Sequence, residues 1–258
     1  MSAPALPLIL PDWPAPSAVR ACVTTRLGGV SAAPFDSFNP ATHVGDDARA
    51  VAANRALLRA HLPAEPLWLE QVHGVEVLDA DRERCGTGDA SIAHCAGSVC
   101  AVMTADCLPV LFCNRQGTVV AAAHAGWRGL AMGVLTRTVQ RMGGSPGDIL
   151  VWLGPAIGPD AFEVGPEVRA VFLERLPGAA AAFRPGTGDR LYADIYLLAR
   201  LELARAGVQA VYGGGLCTVS QAALFHSYRR DGRCGRMASL VWLARDASAL
   251  GAEPSYQG

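Results

Sequence analysis

The middle of the chain alternates short apolar runs with polar segments, and the runs have the length and composition of β-strands. Each run is rich in Val and Leu, and turn residues or polar residues separate the runs. Runs of roughly four to eight apolar residues with such boundaries predict buried strands. The predicted strands occupy 67–69, 75–78, 99–103, 109–113 and 118–123, and the segments "ILVWLG", "VQAVY" and "MASLVWLA" predict further strands.

Longer segments with apolar residues on one side predict helices around these strands. Residues 47–60 place Val51, Leu57 and Leu58 on an inward face, and Asp46 or Asp47 can cap the first amides. Further helices are predicted at 129–142, where Gly143 and Gly144 follow the last turn, and at 166–176 and 194–207.

Two segments lack a regular pattern. Residues 1–18 predict an irregular N-terminal segment, and residues 177–190, which are rich in Gly, Pro and Ala, predict an exposed loop. No linker composition divides the chain, so we expect residues 1–258 to form a single domain.

Composition removes several classes of function. The net charge is −1 and the pI is about 6.6, so no electrostatic case exists for binding nucleic acid or an anionic membrane. All 22 basic residues are Arg, which excludes a phosphate-binding lysine and a Schiff-base lysine. The start of the chain lacks the features of a secretory signal, and no segment is long and apolar enough to span a membrane. We therefore expect a cytoplasmic protein whose 8 Cys are reduced thiols.

Two predicted core strands carry polar side chains that can ligate a metal. The run "MTADCLPVLF" contains Cys107, and the run "VVAAAHAGWRGL" contains His124 at its end. A third candidate, His73, lies in "WLEQVHGVEV" between two short strands. Each of these residues alone is more often an ordinary buried or hydrogen-bonded residue, but together two imidazoles and a thiolate form a known catalytic zinc set. The fold would have to assemble such a site, because the three residues are far apart in the chain.

The segments around these residues resemble the YfiH-type proteins, which are variously called polyphenol oxidoreductases, laccase-like proteins and purine nucleoside phosphorylases. The motifs that carry the resemblance are "TTRLGGVS", "HVGDD", "LEQVHG", "TADCLPVL", "AHAGWRGL", "GPAIGPDAFEVG" and, at 227–236, "SYRRDG" with "GR". They extend from about Thr24 to the last predicted strand. The resemblance implies a single α+β domain, a layered α/β/β/α sandwich with mixed sheets.

The resemblance also implies an activity and a cofactor. It implies a zinc ion bound by His73, Cys107 and His124, with phosphorolysis of adenosine, inosine, guanosine and methylthioadenosine, and with deamination of adenosine. Purine nucleoside and phosphate are then the expected partners. Some bacterial members of the family are linked to editing of peptidoglycan precursors. Zinc is expected over copper, because a site with four coppers requires many more His than the few suitably placed here.

Further polar residues are candidates for binding and proton transfer. Asp106, next to Cys107, is the candidate proton carrier for deamination. The turn "GWRGL", at the start of the helix predicted at 129–142, offers amides to phosphate. The candidate phosphate clamps are Arg26, Arg128, Arg229 and Arg230, and the candidates for hydrogen bonds to base or sugar are Gln71 and Asn39. A surface or structural ion pair is the ordinary role for each of the arginines, and Asn39, which precedes Pro40, can simply form a turn.

Three other functions remain open from the sequence. A cysteine hydrolase would use Cys107 as nucleophile and His124 as base without a metal. A copper oxidoreductase acting on phenols would match the older family name. A non-enzymatic protein would keep zinc for structure and would need a fourth ligand, such as Cys113 or Asp106.

Overall fold

The computed structural model describes residues 6–244, and the elements below lie within that range. The helices are α1 (Ala48–Arg59), α2 (Trp127–Met132), α3 (Val134–Met142), α4 (Pro166–Arg175), α5 (Ile195–Arg205) and α6 (Tyr228–Asp231). The strands are β1 (Leu8–Ile9), β2 (Val19–Thr24), β3 (Trp68–Glu70), β4 (Val77–Asp79), β5 (Cys85–Thr87), β6 (Ala90–Ala93), β7 (Val99–Thr104), β8 (Leu108–Asn114), β9 (Val120–Ala125), β10 (Ile149–Leu153), β11 (Glu163–Val164), β12 (Phe183–Pro185), β13 (Leu191–Ala193), β14 (Ala210–Gly213) and β15 (Met237–Leu243).

Two large sheets form the centre of the fold. A six-stranded sheet has the order β14-β10-β8-β9-β6-β4, and a four-stranded antiparallel sheet has the order β1-β2-β15-β7. The six-stranded sheet is mixed, because its outer pairs β10/β14 and β4/β6 are parallel and its inner pairs are antiparallel. Two smaller sheets, β11-β13-β12 and β3-β5, lie outside these two.

Three hydrophobic clusters show that the large sheets are stacked between helices. One cluster joins side chains of the two sheets, such as Val102 and Val241 from one and Leu111 and Val120 from the other. A second cluster packs α3, α4 and α5 against the outer face of the six-stranded sheet. A third packs α1 against the outer face of the four-stranded sheet through Leu58. The layers therefore follow the order α/β/β/α.

This layering explains why the central strands read as continuous apolar runs. Every residue of β9 is buried, and in β8 only the last residue, Asn114, is partly exposed. A strand whose two faces are both covered lacks the apolar–polar alternation of a strand with one solvated face. His124, in β9, is therefore buried although its side chain is polar.

The first helix has the predicted limits and cap. The helix predicted at 47–60 is α1, and the side chain of Asp47 accepts hydrogen bonds from the N–H groups of Arg49 and Ala50. Val51 and Leu58 are buried as predicted, whereas Leu57 is only half-buried.

Two predicted elements differ from the structure. The helix predicted at 129–142 begins two residues earlier and is divided into α2 and α3 by Gly133, whose φ of 95° is left-handed. The apolar periodicity continues across this glycine, so the pattern did not reveal the break. The loop predicted at 177–190 contains a short 3-10 helix, Ala179–Ala182, and the strand β12, because its alanines pack into the core beside α5.

The α+β fold with mixed sheets is confirmed. Residues 1–5 of the predicted irregular N-terminal segment and residues 245–258 of the predicted domain lie outside the described range. The described part of that segment contains the two-residue strand β1, which pairs with β2. Within residues 6–244, no helix is both long and apolar enough to cross a membrane.

Candidate metal centre

The fold brings His73, Cys107 and His124 together. One ligand atom from each side chain lies within 4.8 Å of the other two. Cys107 immediately precedes β8, and the antiparallel pairing of β8 with β9 sets Pro109 opposite His124. This register explains how two residues distant in the chain meet at one end of the six-stranded sheet. His73 comes from the loop after β3, and its Nε2 lies 3.7 Å from the sulfur of Cys107.

Asp89 fixes the loop that carries His73. This carboxylate is fully buried, and it accepts hydrogen bonds from the backbone N–H groups of Val72 (3.2 Å), His73 (2.9 Å) and Gly74 (2.6 Å). The φ of His73 is 61°, a left-handed conformation that is uncommon for a residue other than glycine. Three hydrogen bonds to one carboxylate supply the restraint that such a conformation needs.

Asp89 also orients His124. Nδ1 of His124 lies 2.7 Å from an oxygen of Asp89, and the backbone N–H of His124 donates to the carbonyl of Asp89 at 2.6 Å. Because an ionised carboxylate can only accept, Nδ1 carries the proton and Nε2 is left free to act as a ligand. Burial would raise the pKa of Asp89, but hydrogen bonds from His124 and from the amides hold it below its ordinary value.

The electrostatics of the cluster favour a thiolate at Cys107. Burial opposes ionisation, but the charge and hydrogen bonding of His124, together with His73, lower the pKa of Cys107 from 9.0 to about 6. Burial likewise opposes protonation of His124, but the Cys107 charge and the hydrogen bond to Asp89 raise its pKa from 6.5 to about 9. Without a metal, these shifts favour a thiolate at Cys107 and a protonated imidazole at His124.

These three residues fit a zinc ion. Ligand atoms about 2.0–2.3 Å from a tetrahedral zinc are roughly 3.3–3.8 Å from one another, and the Cys107–His73 contact of 3.7 Å lies in that range. A carboxylate hydrogen-bonded to the second nitrogen of a ligating His is the usual outer partner in zinc sites, and Asp89 occupies that place. Among the residues in the described range, this is the one group of His, Cys, Asp or Glu side chains with metal-binding geometry.

The three residues lie in the wall of a cavity of roughly 450 Å³. Its other lining residues are His43, Gln71, Met103, Thr104, Ala105, Asp106, Trp127, Arg128, Ile157, Phe162, Ile195, Tyr228, Arg229 and Arg236. Three arginines and several apolar or aromatic faces therefore surround the cluster. Asp106 is the one carboxylate among these lining residues. The cavity thus combines a positive wall with apolar surface.

Three of the predicted substrate residues reach this cavity. The guanidinium of Arg128 stacks on Trp127 at 4.5 Å, and Arg229 donates to the carbonyl of Ala161 at 3.2 Å. The amide of Gln71 donates to the carbonyl of Met103 and accepts from its N–H, at 2.8 and 2.7 Å. Gln71 therefore attaches the His73 loop to β7 through both ends of its amide.

The structure does not bring Arg26, Asn39 and Arg230 to the cavity lining. Arg26 pairs with Asp36 at 3.3 Å, and Asn39 is fully buried. The guanidinium of Arg230 donates to the carbonyls of Thr218, Val219 and Phe225. Each of the three stabilises a loop, which is the ordinary role for these residue types.

Asp106 has the position expected from the sequence but different contacts. Its side chain accepts a hydrogen bond from the hydroxyl of Thr218 at 2.5 Å and another from the backbone N–H of Arg229 at 2.6 Å. Both of its oxygens therefore have protein donors. This geometry favours a positioning role over the proton transfer expected from its sequence position.

Sequence reasoning missed Asp89, His43, Arg236 and Tyr228. His43 and Tyr228 lie in the motifs "HVGDD" and "SYRRDG", so the motifs themselves were the available signal. Asp89 follows Gly88 and immediately precedes the short buried strand β6, and a carboxylate directly before a buried strand was the available sign there.

The fold and the cluster define a layered α+β protein with a candidate metal centre in the wall of a cavity. A profile of the family described as "Multi-copper polyphenol oxidoreductase laccase" matches residues 20–244. The chain belongs to this family. A Pseudomonas aeruginosa protein named purine nucleoside phosphorylase is 59% identical over 236 residues, covering 91% of this chain and 98% of that protein. The Escherichia coli protein named purine nucleoside phosphorylase YfiH is 55% identical over 240 residues, covering 92% and 98%.

Solved structures agree with this assignment. A crystal structure of a Neisseria meningitidis protein matches with a TM-score of 0.88 and 49% identity, covering 92% of this chain and 99% of that one. The crystal structure of YlmD from Geobacillus stearothermophilus matches with a TM-score of 0.85 and 32% identity, covering 93% and 100%. The resemblance to YfiH-type proteins is confirmed.

Proposed function

We propose that this protein is a zinc-dependent purine nucleoside phosphorylase that also deaminates adenosine. The observation that carries the proposal is the meeting of His73, Cys107 and His124 in the wall of a cavity large enough for a nucleoside. Relatives that are 59% and 55% identical over nearly their whole length bear the name purine nucleoside phosphorylase. The expected substrates are adenosine, inosine, guanosine and methylthioadenosine.

The proposed zinc ligands are His73, Cys107 and His124. When bound, zinc supplies a Lewis acid to the cavity, and three protein ligands leave a coordination position for substrate or water. Asp89 holds the imidazole of His124 through Nδ1 and the loop of His73 through its backbone N–H, so the protein's own contribution is a fixed arrangement of donors before substrate arrives.

The cavity lining suits the two substrates of phosphorolysis. Arg128, Arg229 and Arg236 provide positive charge for phosphate, and these three guanidinium groups outnumber the one lining carboxylate, that of Asp106. The apolar and aromatic lining residues, Phe162 and Tyr228 among them, suit a purine base. The start of α2 contributes little to phosphate binding, because a helix of only 6 residues has a small dipole.

A cysteine hydrolase is the second candidate function. The observation that favours it is the proximity of Cys107 to His124, which lowers the pKa of the thiol and raises that of the imidazole, as a nucleophilic cysteine requires. Metal analysis separates the two functions. Protein purified without added zinc should contain about one zinc per chain, and Cys107→Ala should lose it. Metal-free wild type that hydrolyses esters or amides through Cys107 would favour the hydrolase.

A copper-dependent oxidoreductase is the function suggested by the family description. Four coppers need more His and Cys ligands than the single cluster of the described residues supplies. The same metal analysis tests this point, because stoichiometric copper with turnover of phenols would contradict the proposed zinc function.

The decisive experiment is a product assay with the purified protein. Each of the four nucleosides is incubated with and without phosphate, and the products are separated by chromatography and identified by mass. We expect free base and pentose 1-phosphate only with phosphate, and inosine from adenosine in both conditions. His73→Ala should abolish both reactions, whereas His61→Ala, at an exposed position outside the cavity, should not change them. Wild type that leaves all four nucleosides intact would refute the proposal.

A further inference from the structure

We infer that Asp106 is a positioning residue that joins the Cys107 loop to the wall of the cavity formed by α6. The expected effect of Asp106 on activity rests on the proposed function. The connection between the Cys107 loop and α6 rests on hydrogen bonds alone. Asp106 immediately precedes the proposed ligand Cys107, and α6 carries Tyr228 and Arg229 into the lining of the same cavity.

The contacts of Asp106 run to three separate parts of the chain. One carboxylate oxygen accepts from the hydroxyl of Thr218 at 2.5 Å, and the other accepts from the N–H of Arg229 at 2.6 Å. Its backbone carbonyl accepts from the N–H of Ile157 at 2.9 Å. Ile157 also lines the cavity, so Asp106 connects the residue beside the metal centre to two other walls.

The conformation of Asp106 shows that its side chain is held in this place. Its φ is 88°, in the left-handed region, and only 9% of the residue is exposed. A non-glycine residue keeps such a conformation only where its surroundings compensate for the strain. Here the compensation is a pair of short hydrogen bonds to a buried carboxylate, which are stronger than bonds between neutral groups.

The helix α6 depends on this carboxylate for its position. It has only four residues, so its own hydrogen bonds hold it weakly. The side chain of Ser227 accepts from the N–H of Arg230, and Asp106 accepts from the N–H of Arg229. Two of the free amides at the start of α6 are thus satisfied, one of them by the residue next to Cys107.

The position of α6 matters because Tyr228 is 62% exposed although it lines the cavity. An aromatic ring left open at this place is available to contact the base of a bound nucleoside. If Asp106 sets the distance between Cys107 and α6, it sets the distance between the metal centre and the ring that contacts the substrate. A displacement of about 1 Å in such an arrangement can lower a rate by about 100-fold.

The test compares Thr218→Val, Thr218→Ser and Asp106→Asn in the zinc-loaded protein. Thr218→Val removes the hydroxyl donor with little change of shape and leaves the Asp106 carboxylate in place, whereas Thr218→Ser keeps the donor. We expect Thr218→Val to raise the KM for inosine about 5- to 10-fold, from the loss of one hydrogen bond. Thr218→Ser should keep the wild-type KM and kcat. Asp106→Asn should lower kcat/KM about 100-fold. Zinc content should stay at the wild-type level in all three.

A second readout requires no substrate. Hydrogen–deuterium exchange should be faster in the segment 227–231 for Thr218→Val and Asp106→Asn than for wild type, with little change in α1. Unchanged exchange in 227–231 would overturn the inference. It would also be overturned by a Thr218→Val variant with wild-type KM and kcat beside an inactive Asp106→Asn, since that pattern assigns the carboxylate to proton transfer. A wild type without phosphorolysis would refute only the proposed function, and the exchange data alone would then decide the role of Asp106.

Discussion

The carboxylate of Asp89 lies 2.7 Å from Nδ1 of His124, and both residues are buried. The same carboxylate accepts the N–H groups of the loop that carries His73. One side chain thus fixes two of the three proposed metal ligands. The third, Cys107, directly precedes β8, and the pairing of β8 with β9 brings it beside His124. The arrangement of donors is therefore set by the fold before any ion binds.

Asp89→Asn should weaken zinc binding about 10- to 100-fold, the usual cost of removing an outer carboxylate from a ligating His. The amide of Asn places an NH₂ group where a carboxylate oxygen accepted hydrogen bonds. At least one N–H of the His73 loop or of His124 therefore loses its acceptor. Competition with a chromogenic chelator measures the zinc affinity.

Asp81→Asn is the matched control for this change. Asp81 also accepts backbone N–H groups, those of His94 and Cys95, but it does not line the cavity. Its variant should bind zinc as wild type does. Equal zinc affinities in wild type and Asp89→Asn would contradict the role given to Asp89.

The residue types of the centre were predictable, because a Cys and a His within continuous apolar runs are unusual. The partners of these residues were not. Asp89 reaches His124 and the 72–74 loop across large separations in sequence, and short-range patterns carry no information on such contacts. The chemical roles of His73, Cys107 and His124 remain predictions, while their proximity is a property of the fold.

The sequence also could not show which arginines line the cavity. Arg128 and Arg230 are equally plausible phosphate ligands in the sequence, since both have the guanidinium that such a site needs. The structure distinguishes them, because Arg128 lines the cavity whereas the guanidinium of Arg230 donates hydrogen bonds to carbonyls of a neighbouring loop. Gly133 is a similar case for the fold, since the apolar face continues from α2 to α3 and conceals the break.

Removal of the metal should expose Cys107 to alkylation. In the chelator-treated protein its thiolate lines an accessible cavity, so iodoacetamide should modify Cys107 rapidly, and added zinc should prevent the reaction. Peptide mass spectrometry measures the extent at each cysteine. The exposed Cys95 serves as the internal control, because zinc should not change its modification. Equal labelling of Cys107 with and without zinc would mean that its sulfur is not a ligand.

Gly126→Ala should impair metal binding through a steric clash with His73. A Cβ at this position would lie 2.4 Å from Cδ2 of His73 and 3.2 Å from the sulfur of Cys107, so His73 would have to move. We expect a loss of zinc affinity of at least about 10-fold, comparable to the loss of an outer-shell contact. Gly215→Ala is the control, because a Cβ there has no neighbour within 4 Å in the part of the chain that the structure describes. Wild-type zinc affinity in Gly126→Ala would show that the His73 ring is not held at this distance.

Glu202 should make the stability of the protein depend on pH near neutrality. This residue of α5 is 3% exposed, and one of its oxygens accepts the N–H of Thr136 at the start of α3 at 2.9 Å. Within residues 6–244, its other oxygen has no hydrogen-bond partner. Burial raises the pKa of Glu202 from 4.5 to about 7, against the opposing effect of the hydrogen bonds from Thr136. The folded state therefore favours the protonated carboxyl.

The sign of the effect follows from this raised pKa. The stabilising contribution of Glu202 to the free energy of unfolding is fully present below about pH 4.5. It is lost as the pH rises to about 7, and the free energy of unfolding then no longer changes through this group. The size is on the order of 3 kcal/mol. Glu202→Gln resembles the protonated form and should remove this decline, so the variant should be more stable than wild type at pH 8 and similar at pH 5. Urea unfolding at both pH values measures the difference, with the exposed Glu174→Gln as control. Parallel pH profiles for wild type and Glu202→Gln would mean that the carboxyl is ionised in the folded protein at no cost.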